Sequence, residues 1–480
     1  MLLTKVSKYI SSSKIYKLSK KKINFKFIHS NSKNISPGSM LAISKKNKFS
    51  KKYTKEAVSK GAVAILTNKY IKEINITQYI VNNVEKSLYK LLSVLRPYPP
   101  LNSIAITGTN GKTSVVWYIA QICLYSRVDC KTYGTLGYYI NSIKKNNSSL
   151  TTPDFEVLYQ SAFSSKKNTY NFIFEASSHS LDQNRIKKFP VNVAAITNIT
   201  KDHLDYHKNF NMYKNSKYKL FYDYLDKNGY AILNDNLKDI NTIKKKLQDK
   251  KIISYGKKNS NVNLFNKRNK IYLKFFHKEY LTKLSKLSNF EIENISCAIA
   301  CCHCLNINID KIINSLSKII NPPGRLEKVE KNHKVYVDYA HTPDALKKIL
   351  ISMTLDNKKP NLLFGCGGNR DKTKRLEMGK IANKYANKVY ITDDNPRNEN
   401  PSKIRKTIIS KCKKGIEISN RKKAIEIAIR DHKKEETLII AGKGHEKIQI
   451  LKNSIKKFDD LKIAKNELKK INNKLKKIFI

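Results

Sequence analysis

The chain has 480 residues, which is long enough for roughly two to four domains with separate cores. Hydrophobic residues make up 40% of it, a fraction typical of a globular protein and too high for an intrinsically disordered one. The sequence contains no run of about 18 apolar residues, so neither a transmembrane helix nor membrane insertion is expected.

The formal net charge of +56 is extreme, with 94 Lys and Arg against 38 Asp and Glu. A basic nucleic-acid-binding protein is one interpretation of this charge. The lysines are spread along the whole chain, however, whereas a binding footprint is clustered on one face or helix. Their distribution favours compositional drift over a specific nucleic-acid partner, and the alternative stays open.

The eight cysteines are scattered without a paired spacing, which predicts free thiols in a reducing compartment. The run Cys301-Cys302-His303-Cys304 has metal-binding residue types, but the sequence lacks a second Cys or His pair at zinc spacing. Cys297 precedes Cys301 by one helical turn, which favours a buried helix face. The basic first 22 residues lack the apolar segment of a signal peptide, so a cytoplasmic location is expected.

The first block of the chain, residues 1–100, ends in the proline-rich run Arg96-Pro97-Tyr98-Pro99-Pro100. Its pattern predicts a helix over residues 53–60 and a strand over residues 62–67. The second block, residues 101–321, alternates β-type and helical segments; its β-type runs are 103–106, 172–174 and 193–197, and its first helix is 114–123. This alternation predicts an α/β domain with a mostly parallel sheet and crossover helices.

The third block, residues 322–480, alternates in the same way. Its predicted strands are 335–337, 362–364, 388–392 and 437–440. This pattern predicts a small Rossmann-like domain, and residues 461–480 predict an amphipathic helix or a frayed tail. The whole chain is therefore expected to be an α/β protein of three domains.

The most informative motif is the run Thr107-Gly108-Thr109-Asn110-Gly111-Lys112-Thr113, between the first strand and first helix of the second block. Glycines in such a turn let backbone N–H groups approach phosphate oxygens. Lys112 is then placed to neutralise the phosphates of a nucleotide triphosphate, and the Thr113 hydroxyl to ligate Mg²⁺. A complete Walker A motif needs a glycine at Ile106, so an ordinary tight turn is the alternative.

Polar clusters follow the next two strands of the second block. Glu175 opens the run Glu175-Ala176-Ser177-Ser178-His179, at the strand end where a carboxylate holds a metal ion beside a phosphate loop. The run Lys201-Asp202-His203-Leu204-Asp205-Tyr206-His207 contains two His and two Asp. Each cluster alone is equally consistent with a polar loop, but with the phosphate loop they predict a two-metal ATP site.

Four predicted strands of the third block also end in polar runs. These runs contain Asp338 and His341, then Gly365 to Asp371 with Arg370, then Asp394, Asn395 and Arg397, and finally Gly442 with His445 and Glu446. The carboxyl ends of parallel strands meet at one edge of a sheet, where ligands bind. We therefore expect these four runs to converge on one binding site.

These motifs resemble the Mur ligase family over nearly the whole chain. The matching segments are residues 107–113, 150–153, 175–179 with Gln183 and Arg185, 197–207, 323–327, 338–343, 365–375, 394–397 and 442–446. The resemblance implies a uridine-nucleotide-binding domain over 1–100, a central P-loop-like ATPase domain over 101–321, and an amino-acid-binding Rossmann-like domain over 322–480. It is strongest to the members that add the third amino acid of the peptidoglycan peptide.

The resemblance implies an ATP-dependent amide ligase that joins meso-diaminopimelate to UDP-MurNAc-L-Ala-D-Glu through an acyl phosphate. It implies ATP and Mg²⁺ as cofactors and a monomeric enzyme. It implies ATP contacts at Gly108, Thr109, Asn110, Gly111, Lys112, Thr113, Ser114, Asn294, Arg325 and Asp338. It implies contacts to the UDP-linked dipeptide at Ser32, Thr151, Thr152, Ser177, Gln183 and Arg185. It implies metal ligation by Thr113, Glu175, His203 and a carbamylated Lys217, with Lys112, Lys217 and His203 as catalytic residues.

The amino-acid pocket is implied at Arg370, Asp394, Asn395, Arg397, Gly442 and Glu446. The planar guanidinium of Arg397 suits the distal carboxylate of diaminopimelate, which lysine lacks. Asp394 and Glu446 are suited to its distal ammonium. A folylpolyglutamate synthetase-like ligase shares the phosphate-loop residues and is the nearest alternative, although residues 151–153 and 394–397 argue against it.

The sequence departs from the family pattern at several positions. Asn31 and Lys33 replace an Asp and an Arg, Asn369 replaces an Asp, and Glu291 replaces an Asn. Glycines expected between Ser44 and Tyr53 are replaced by a Lys-rich stretch. These changes are expected to affect the affinity for uridine and the closure of the loop. A slow, degraded ligase is therefore a further alternative.

Overall fold

The computed structural model describes residues 1–11, 14–17, 19, 22–44, 51–285, 287–354 and 356–478, with only the backbone of 474–478. Residues 45–50, which contain most of the Lys-rich stretch singled out above, lie outside the described residues. Three large sheets follow one another along the chain, and a small hairpin completes the third domain. The described residues include no helix that is long and apolar enough to span a membrane.

The first sheet has five strands in the order β1-β5-β4-β3-β2. Its strands are β1 (Lys14–Tyr16), β2 (Phe27–His29), β3 (Ser39–Ile43), β4 (Ala62–Thr67) and β5 (Thr77–Ile80), and its helices are α1 (Lys51–Ser59) and α2 (Val84–Leu95). Strands β2 to β5 are parallel, and β1 pairs antiparallel with β5. Short 3₁₀ turns lie at Leu3–Lys8 and Ser32–Asn34.

The second sheet has eleven strands in the order β16-β15-β14-β13-β12-β11-β6-β10-β7-β8-β9. The strands are β6 (Ser103–Thr107), β7 (Cys130–Gly134), β8 (Gly137–Ile140), β9 (Ile143–Asn146), β10 (Asn171–Glu175), β11 (Val191–Ile196), β12 (Leu225–Asn234), β13 (Lys251–Tyr255), β14 (Val262–Lys267), β15 (Lys270–Phe275) and β16 (Lys278–Leu281). Its centre, from β7 to β13, is parallel, and antiparallel strands extend both edges.

The helices of this central domain cover both faces of the sheet. They are α3 (Lys112–Tyr125), α4 (Phe155–Ala162), α5 (Ser178–Asp182), α6 (Leu204–His207), α7 (Phe210–Lys219), α8 (Ile240–Lys246), α9 (Asn289–His303) and α10 (Ile309–Leu316), with a π-helical turn at Leu220–Tyr224. Strands β6 and β10 are buried along their whole length, as is typical of a parallel sheet covered on two faces.

The cysteine-rich run lies at the end of α9, where Cys297, Cys301 and Cys302 are buried against α3 and the sheet. All eight cysteines are free thiols. Among the described residues, no group of three or more His, Cys, Asp or Glu side chains is placed to hold a metal ion. The predicted buried helix face is confirmed, because these thiols fill apolar space.

The third sheet has six strands in the order β17-β18-β22-β19-β20-β21, parallel except for β17. The strands are β17 (Glu327–Lys328), β18 (Val335–Asp338), β19 (Asn361–Phe364), β20 (Val389–Ile391), β21 (Gly415–Glu417) and β22 (Leu438–Ala441), followed by the hairpin of β23 (Ile448–Ile450) and β24 (Ile455–Lys457). The helices are α11 (Pro343–Ser352), α12 (Thr373–Tyr385), α13 (Pro401–Ile409), α14 (Arg421–Arg430) and α15 (Asp460–Ile478). The expected parallel α/β architecture is confirmed, and α15 is helical where a helix or a frayed tail was expected.

Direct contacts join the three domains. The Glu156 carboxylate on α4 accepts hydrogen bonds from the Ser30 N–H at 2.8 Å and the Ser30 hydroxyl, and the Gln160 amide pairs with the backbone of Ile28. On the other side, Asn110 Nδ2 of the phosphate loop donates to Asp344 Oδ2 on α11 at 3.1 Å. The exact domain boundaries at residues 100 and 321 stay a prediction.

Candidate active site

The phosphate loop connects the end of β6 to the start of α3. Gly108 has a φ of +140°, and an added Cβ would lie 1.8 Å from Thr197 Oγ1 on the neighbouring strand end. Gly111 has a φ of +89°, and an added Cβ would lie 2.3 Å from Asn294 Oδ1. Both positions require glycine, because the backbone is left-handed and its neighbours are too close for a side chain.

The loop is held in place by the segment that follows β11. The Asn110 N–H donates to Asn198 Oδ1 at 3.0 Å, and the Thr197 hydroxyl donates to the Asn110 carbonyl oxygen at 2.6 Å. Thr109 Oγ1 lies 2.9 Å from the Tyr213 hydroxyl. These bonds fix the turn before any ligand binds, which is the preorganisation that a phosphate site needs.

Two lysines reach the same carbonyl oxygen of the loop. Lys112 Nζ and Lys217 Nζ each lie 2.8 Å from the Gly108 oxygen, and Lys112 also donates to the Thr109 oxygen. Burial lowers the pKa of Lys112, although the nearby Glu175 opposes this shift. Burial, reinforced by the charge of Lys112, lowers the pKa of Lys217 well below its usual value. Burial therefore lowers the pKa of both amines that converge on the Gly108 carbonyl oxygen.

Glu175 lies at the end of β10, in register with Ile106 of β6, directly beside the phosphate loop. Its carboxylate accepts hydrogen bonds from the Thr113 hydroxyl at 3.0 and 3.1 Å and from the Thr135 N–H at 2.7 Å. It is only 1% exposed. A carboxylate and a hydroxyl in contact offer the oxygen ligands that Mg²⁺ prefers, so these two side chains fit a divalent cation.

His203 begins the short helix α6 with a left-handed φ of +53°. Its Nε2 lies 3.5 Å from Asp202 Oδ2, and its ring lies 4.8 Å from the ring of His179. Burial lowers the pKa of His203, so the neutral imidazole, the form that ligates metals, is favoured. Both Glu175 and His203 line the same cleft, whereas Lys217 lies behind the loop.

The segment implied for the dipeptide lies next to Glu175. The Thr152 hydroxyl donates to the Glu175 carbonyl oxygen at 2.7 Å and accepts from the Ser177 N–H at 2.9 Å. Arg185 Nη1 donates to the Thr152 carbonyl oxygen at 3.0 Å, and its Nε donates to Gln183 Oε1 at 2.8 Å. These bonds assemble the predicted contacts into one wall. Ser32 belongs to the first domain, where its hydroxyl donates to Glu56 at 2.8 Å.

The residues implied for ATP lie between the second and third domains. The Asp338 carboxylate at the end of β18 accepts from the Leu326 and Ala340 N–H groups, both at 2.7 Å. Burial raises the pKa of Asp338, while the neighbouring Arg325 opposes this shift. The Arg325 guanidinium lies 4.1 Å from the centre of the Tyr339 ring, a cation–π contact that orients it.

The part of the cleft implied for the amino acid is built from the ends of β19, β20 and β22, which are neighbours in the third sheet. Arg397 Nη1 donates to the Gly368 carbonyl oxygen at 2.8 Å, and Asn395 Nδ2 donates to Glu446 Oε2 at 2.8 Å. An added Cβ on Gly442 would lie 3.0 Å from Asp394 Oδ2. Because parallel strands end at one edge, the four polar runs converge as predicted.

One cleft of about 1090 Å³ collects most of these side chains. Its lining includes residues 109–114, Thr151, Thr152, Glu175, Ser177, Arg185, His203, Asn294, Arg325, Asp338, Arg370, Asp394, Asn395, Arg397, Gly442 and Glu446. Of the remaining predicted residues, Gly108 belongs to the loop itself, Lys217 donates to the Gly108 carbonyl oxygen from behind the loop, and Gln183 is bonded to Arg185. Ser32 is the exception, since it lies in the first domain.

Sequence reasoning missed several residues of this site. Thr135 contacts the Glu175 carboxylate with both its N–H and its hydroxyl, and Asn198 holds the phosphate loop. Lys443 is fully buried beside Glu446. Thr135 follows the strand β7, so its position at a polar strand end was the available signal, whereas Lys443 was one lysine among many.

Three departures from the family pattern have a structural account. Asn369 Oδ1 accepts from the Asn398 N–H at 3.0 Å, and Asn31 Oδ1 accepts from the Lys33 N–H at 3.0 Å. An amide oxygen can accept such a bond as a carboxylate oxygen does. Glu291 forms a capping box with Ser288 at the start of α9.

Three α/β domains, with a phosphate loop in a cleft between the second and the third, define a multidomain nucleotide-binding enzyme. Residues 106–302 match the family model of the Mur ligase middle domain, and residues 324–444 match that of the Mur ligase, glutamate ligase domain. The chain belongs to the Mur ligase family.

Relatives of known name are similar over most of the chain. A UDP-N-acetylmuramoyl-L-alanyl-D-glutamate–2,6-diaminopimelate ligase of Rickettsia montanensis is 39% identical, over 84% of this chain and 87% of its own length. The protein of the same name from Buchnera aphidicola is 34% identical, over 86% of this chain and 88% of its own length.

Solved structures show the same architecture. A structure of a UDP-N-acetylmuramoyl-L-alanyl-D-glutamate–2,6-diaminopimelate ligase is 26% identical, with a TM-score of 0.59 over 93% of this chain and 95% of that one. The MurF ligase of Thermotoga maritima in complex with ADP gives a TM-score of 0.68 at 17% identity, over 94% of this chain and 99% of that one. A bifunctional folylpolyglutamate synthase/dihydrofolate synthase of Yersinia pestis with AMPPNP and Mn gives a TM-score of 0.60 at 17% identity, over 75% of this chain and 90% of that one. This is a likeness of fold alone.

Proposed function

We propose that this chain is an ATP-dependent ligase that adds meso-diaminopimelate to UDP-MurNAc-L-Ala-D-Glu in peptidoglycan precursor synthesis. The observation that carries the proposal is the single cleft that joins a phosphate loop to a pocket with two arginines and two carboxylates. Relatives named for this reaction, at 34–39% identity over most of the chain, support the same conclusion. We expect it to act in the cytoplasm, where ATP is available, and as a monomer.

The phosphate end of the cleft suits ATP with Mg²⁺. The ammonium of Lys112 and the N-terminus of α3 attract the triphosphate. Thr113 and Glu175 would hold Mg²⁺, with His203 as a further ligand, since oxygen donors in contact fit a hard cation. Bound Mg²⁺ would offset the repulsion between an anionic acceptor and the triphosphate.

Lys217 is proposed to carry a carbamate. Its amine is buried and its pKa is lowered, which favours the neutral form that reacts with carbon dioxide. The product is an anionic group in place of a cation. Such a group near the phosphate loop would change Lys217 from a like charge of Lys112 into its counter-charge.

The proposed reaction has two steps. The γ-carboxylate of D-Glu attacks the γ-phosphorus of ATP, and ADP leaves as an acyl phosphate forms. The α-amine of diaminopimelate then attacks the acyl carbon, and the tetrahedral intermediate expels phosphate as the amide forms. Lys112 stabilises the charge on the transferred phosphoryl group, and the wall of Thr152, Ser177 and Arg185 positions the carboxylate.

The third domain is proposed to select the amino acid. Arg397 and Arg370 line the cleft and suit the distal carboxylate, because a guanidinium binds a carboxylate through two parallel bonds. Asp394 and Glu446 suit the distal ammonium. L-Lysine offers an ammonium without this carboxylate, so it leaves both arginines without a partner.

Phosphate release from ATP tests the proposal directly. Purified protein with UDP-MurNAc-L-Ala-D-Glu is given meso-diaminopimelate, L-lysine or no amino acid. Release that depends on diaminopimelate is the expected result. The matched variant Arg397→Lys retains the charge and loses the fork, so its KM for diaminopimelate should rise by about 10-fold or more.

Each other outcome has a definite meaning. Release with L-lysine alone would keep the ligase reaction and contradict the role of Arg397. Absence of release with either amino acid, from protein that melts cooperatively, would contradict the proposed function. A folate substrate that raises the Tm when the UDP-linked dipeptide does not would favour the folylpolyglutamate alternative.

A further inference from the structure

Lys443 is a fully buried lysine at the amino-acid end of the cleft. It lies between Gly442 and Gly444, whose φ angles are +110° and +53°. An added Cβ on Gly444 would lie 2.6 Å from the Gly324 carbonyl oxygen and 2.8 Å from Tyr339 Cβ. Only glycine fits this path, and the path carries the Lys443 side chain into the interior of the third domain.

The Lys443 ammonium has two partners. Its Nζ donates to Asn395 Oδ1 at 3.0 Å and to Glu446 Oε2 at 3.2 Å. Asn395 Oδ1 also accepts from the Ile450 N–H at 3.0 Å, and Asn395 Nδ2 donates to Glu446 Oε2 at 2.8 Å. The three side chains bond one another pairwise, and we call them the Lys443 triangle.

The triangle fixes two side chains that face the cleft. Two donors around Asn395 Oδ1 determine which end of the amide is the oxygen, so Nδ2 is the end that meets Glu446. Both contacts to Glu446 use Oε2, so its second oxygen keeps its capacity to accept a bond from a ligand. Glu446 is partly exposed, whereas Lys443 is not.

The two arginines of the cleft are alternative partners for the Glu446 carboxylate, which the triangle holds. Arg397 and Arg370 line the same cleft as Asp394 and Glu446. Burial and the charge of Arg370 lower the pKa of Arg397, and the charges of Asp394 and Glu446 oppose this shift. These four side chains therefore interact electrostatically. Without a fixed position, Glu446 would pair with an arginine, and the groups needed by a zwitterionic ligand end would neutralise each other.

We propose that Lys443 is a positioning residue for amino-acid selection: it fixes the Glu446 carboxylate and the Asn395 side-chain amide in place, so that one end of the pocket receives an ammonium and the other a carboxylate. This inference rests on the proposed function and deepens it. Lys443 itself is buried behind Glu446 and does not reach the amino acid.

The test is the steady-state kinetics of Lys443→Met, which retains most of the side-chain volume and removes the charge. The KM for diaminopimelate should rise by about 10- to 100-fold, the effect of losing a hydrogen bond to a charged group. The KM for ATP should stay within about two-fold, since ATP binds at the other end of the cleft. Lys452→Met, at an exposed position in the β23–β24 hairpin, is the matched control.

A purely structural role predicts a different pattern. It would lower the Tm and the active fraction, and thus kcat, with the KM for diaminopimelate unchanged. That result in a folded variant would overturn the inference alone. If Lys443→Met does not fold, Lys443→Gln, which keeps a donor for Glu446, is measured in the same way. A wild-type protein without diaminopimelate-dependent phosphate release would instead overturn the proposed function, and the inference with it.

Discussion

At the scale of single residues, Lys112 is the side chain on which the proposed phosphoryl transfer should depend most. Its ammonium lies in the phosphate loop, 2.8 Å from the Gly108 carbonyl oxygen. Lys112→Ala should reduce ADP formation by about 100-fold or more, because a preorganised charge beside the transferred group is lost. Lys90→Ala, at an exposed position on α2, should leave the rate unchanged. Turnover by Lys112→Ala near the wild-type rate would contradict the assigned role.

Lys217 predicts a pH-dependent stability. Its pKa is lowered in the folded state from an ordinary value of 10.5, so at a pH below 10.5 folding either buries the ammonium or releases its proton, and both cost free energy. This cost shrinks as the pH rises through the interval between the folded pKa and 10.5. In buffer free of carbon dioxide, Lys217→Met should therefore melt higher than wild type at pH 7, by about 2–4 °C per kcal/mol removed.

The advantage of Lys217→Met should be smaller at pH 9.5 than at pH 7, which differential scanning fluorimetry measures. Lys90→Met controls for the loss of a lysine in general, since its side chain is exposed. A melting temperature below that of wild type at pH 7, or an advantage independent of pH, would show that the buried ammonium does not cost stability.

The contrast between Glu175 and Lys443 shows what a sequence can reveal about single residues. Glu175 ends a strand beside a phosphate loop, and both features are written locally in the sequence. Lys443 is one lysine among many in the sequence. Its burial depends on its own contact with Asn395 and on the close approach of Gly444 to Gly324, and both partners are distant along the chain. Local patterns predict strand ends, whereas the partners of a buried charge are fixed by tertiary packing.

At the scale of elements, the turn between β6 and α3 depends on its glycines. Gly108→Ala would place a Cβ 1.8 Å from Thr197 Oγ1 in a left-handed backbone. Gly38→Ala is the matched control, because its φ is +79° and its added Cβ meets nothing within 4 Å. Gly38→Ala should cost about 1–2 kcal/mol, whereas Gly108→Ala should cost more and abolish ATP binding in calorimetry. Equal effects of the two variants would contradict this account of the turn.

The alternation of apolar runs was enough to predict the parallel centres of the second and third sheets. It did not predict β8, β9 and β14 to β16, which widen the central sheet through the antiparallel pairs β7–β8, β8–β9, β14–β15 and β15–β16. These edge strands are short or partly exposed and rich in lysine, so the alternation of apolar and polar residues that marks a strand is hard to see in them. The helix predicted over 114–123 begins two residues earlier, because Gly111 serves as its N-cap.

At the scale of the whole molecule, the first domain is tied to the second through a shared core and a few polar bonds. One hydrophobic cluster includes Met40 of β3, Leu158 of α4 and Phe172 of β10. The sequence predicted separate blocks, and it gave no sign of this continuity, since the contacts join residues far apart in the chain. The net charge of +56 adds no argument at this scale, and specific nucleic-acid binding stays an untested alternative.

The Glu156 carboxylate is the polar centre of that connection. It is 2% exposed, burial raises its pKa, and it accepts from both the N–H and the hydroxyl of Ser30. Glu156→Ala would leave the Ser30 N–H without this acceptor, at a cost of about 1–3 kcal/mol. Ser32, which is proposed to contact the UDP-linked dipeptide, lies two residues after Ser30. The KM for the dipeptide should therefore rise, by about 5- to 100-fold if the whole cost appears in binding.

The residues proposed for ATP belong to the second and third domains, so the KM for ATP should change by less than about two-fold in Glu156→Ala. Glu85→Ala, at an exposed position on α2, controls for the loss of a carboxylate near the same interface. Steady-state phosphate release measures both constants in one experiment. An equal rise in the two KM values would mean that Glu156 supports the fold of the central domain. An unchanged KM for the dipeptide would mean that dipeptide binding does not depend on the contact between Glu156 and the first domain.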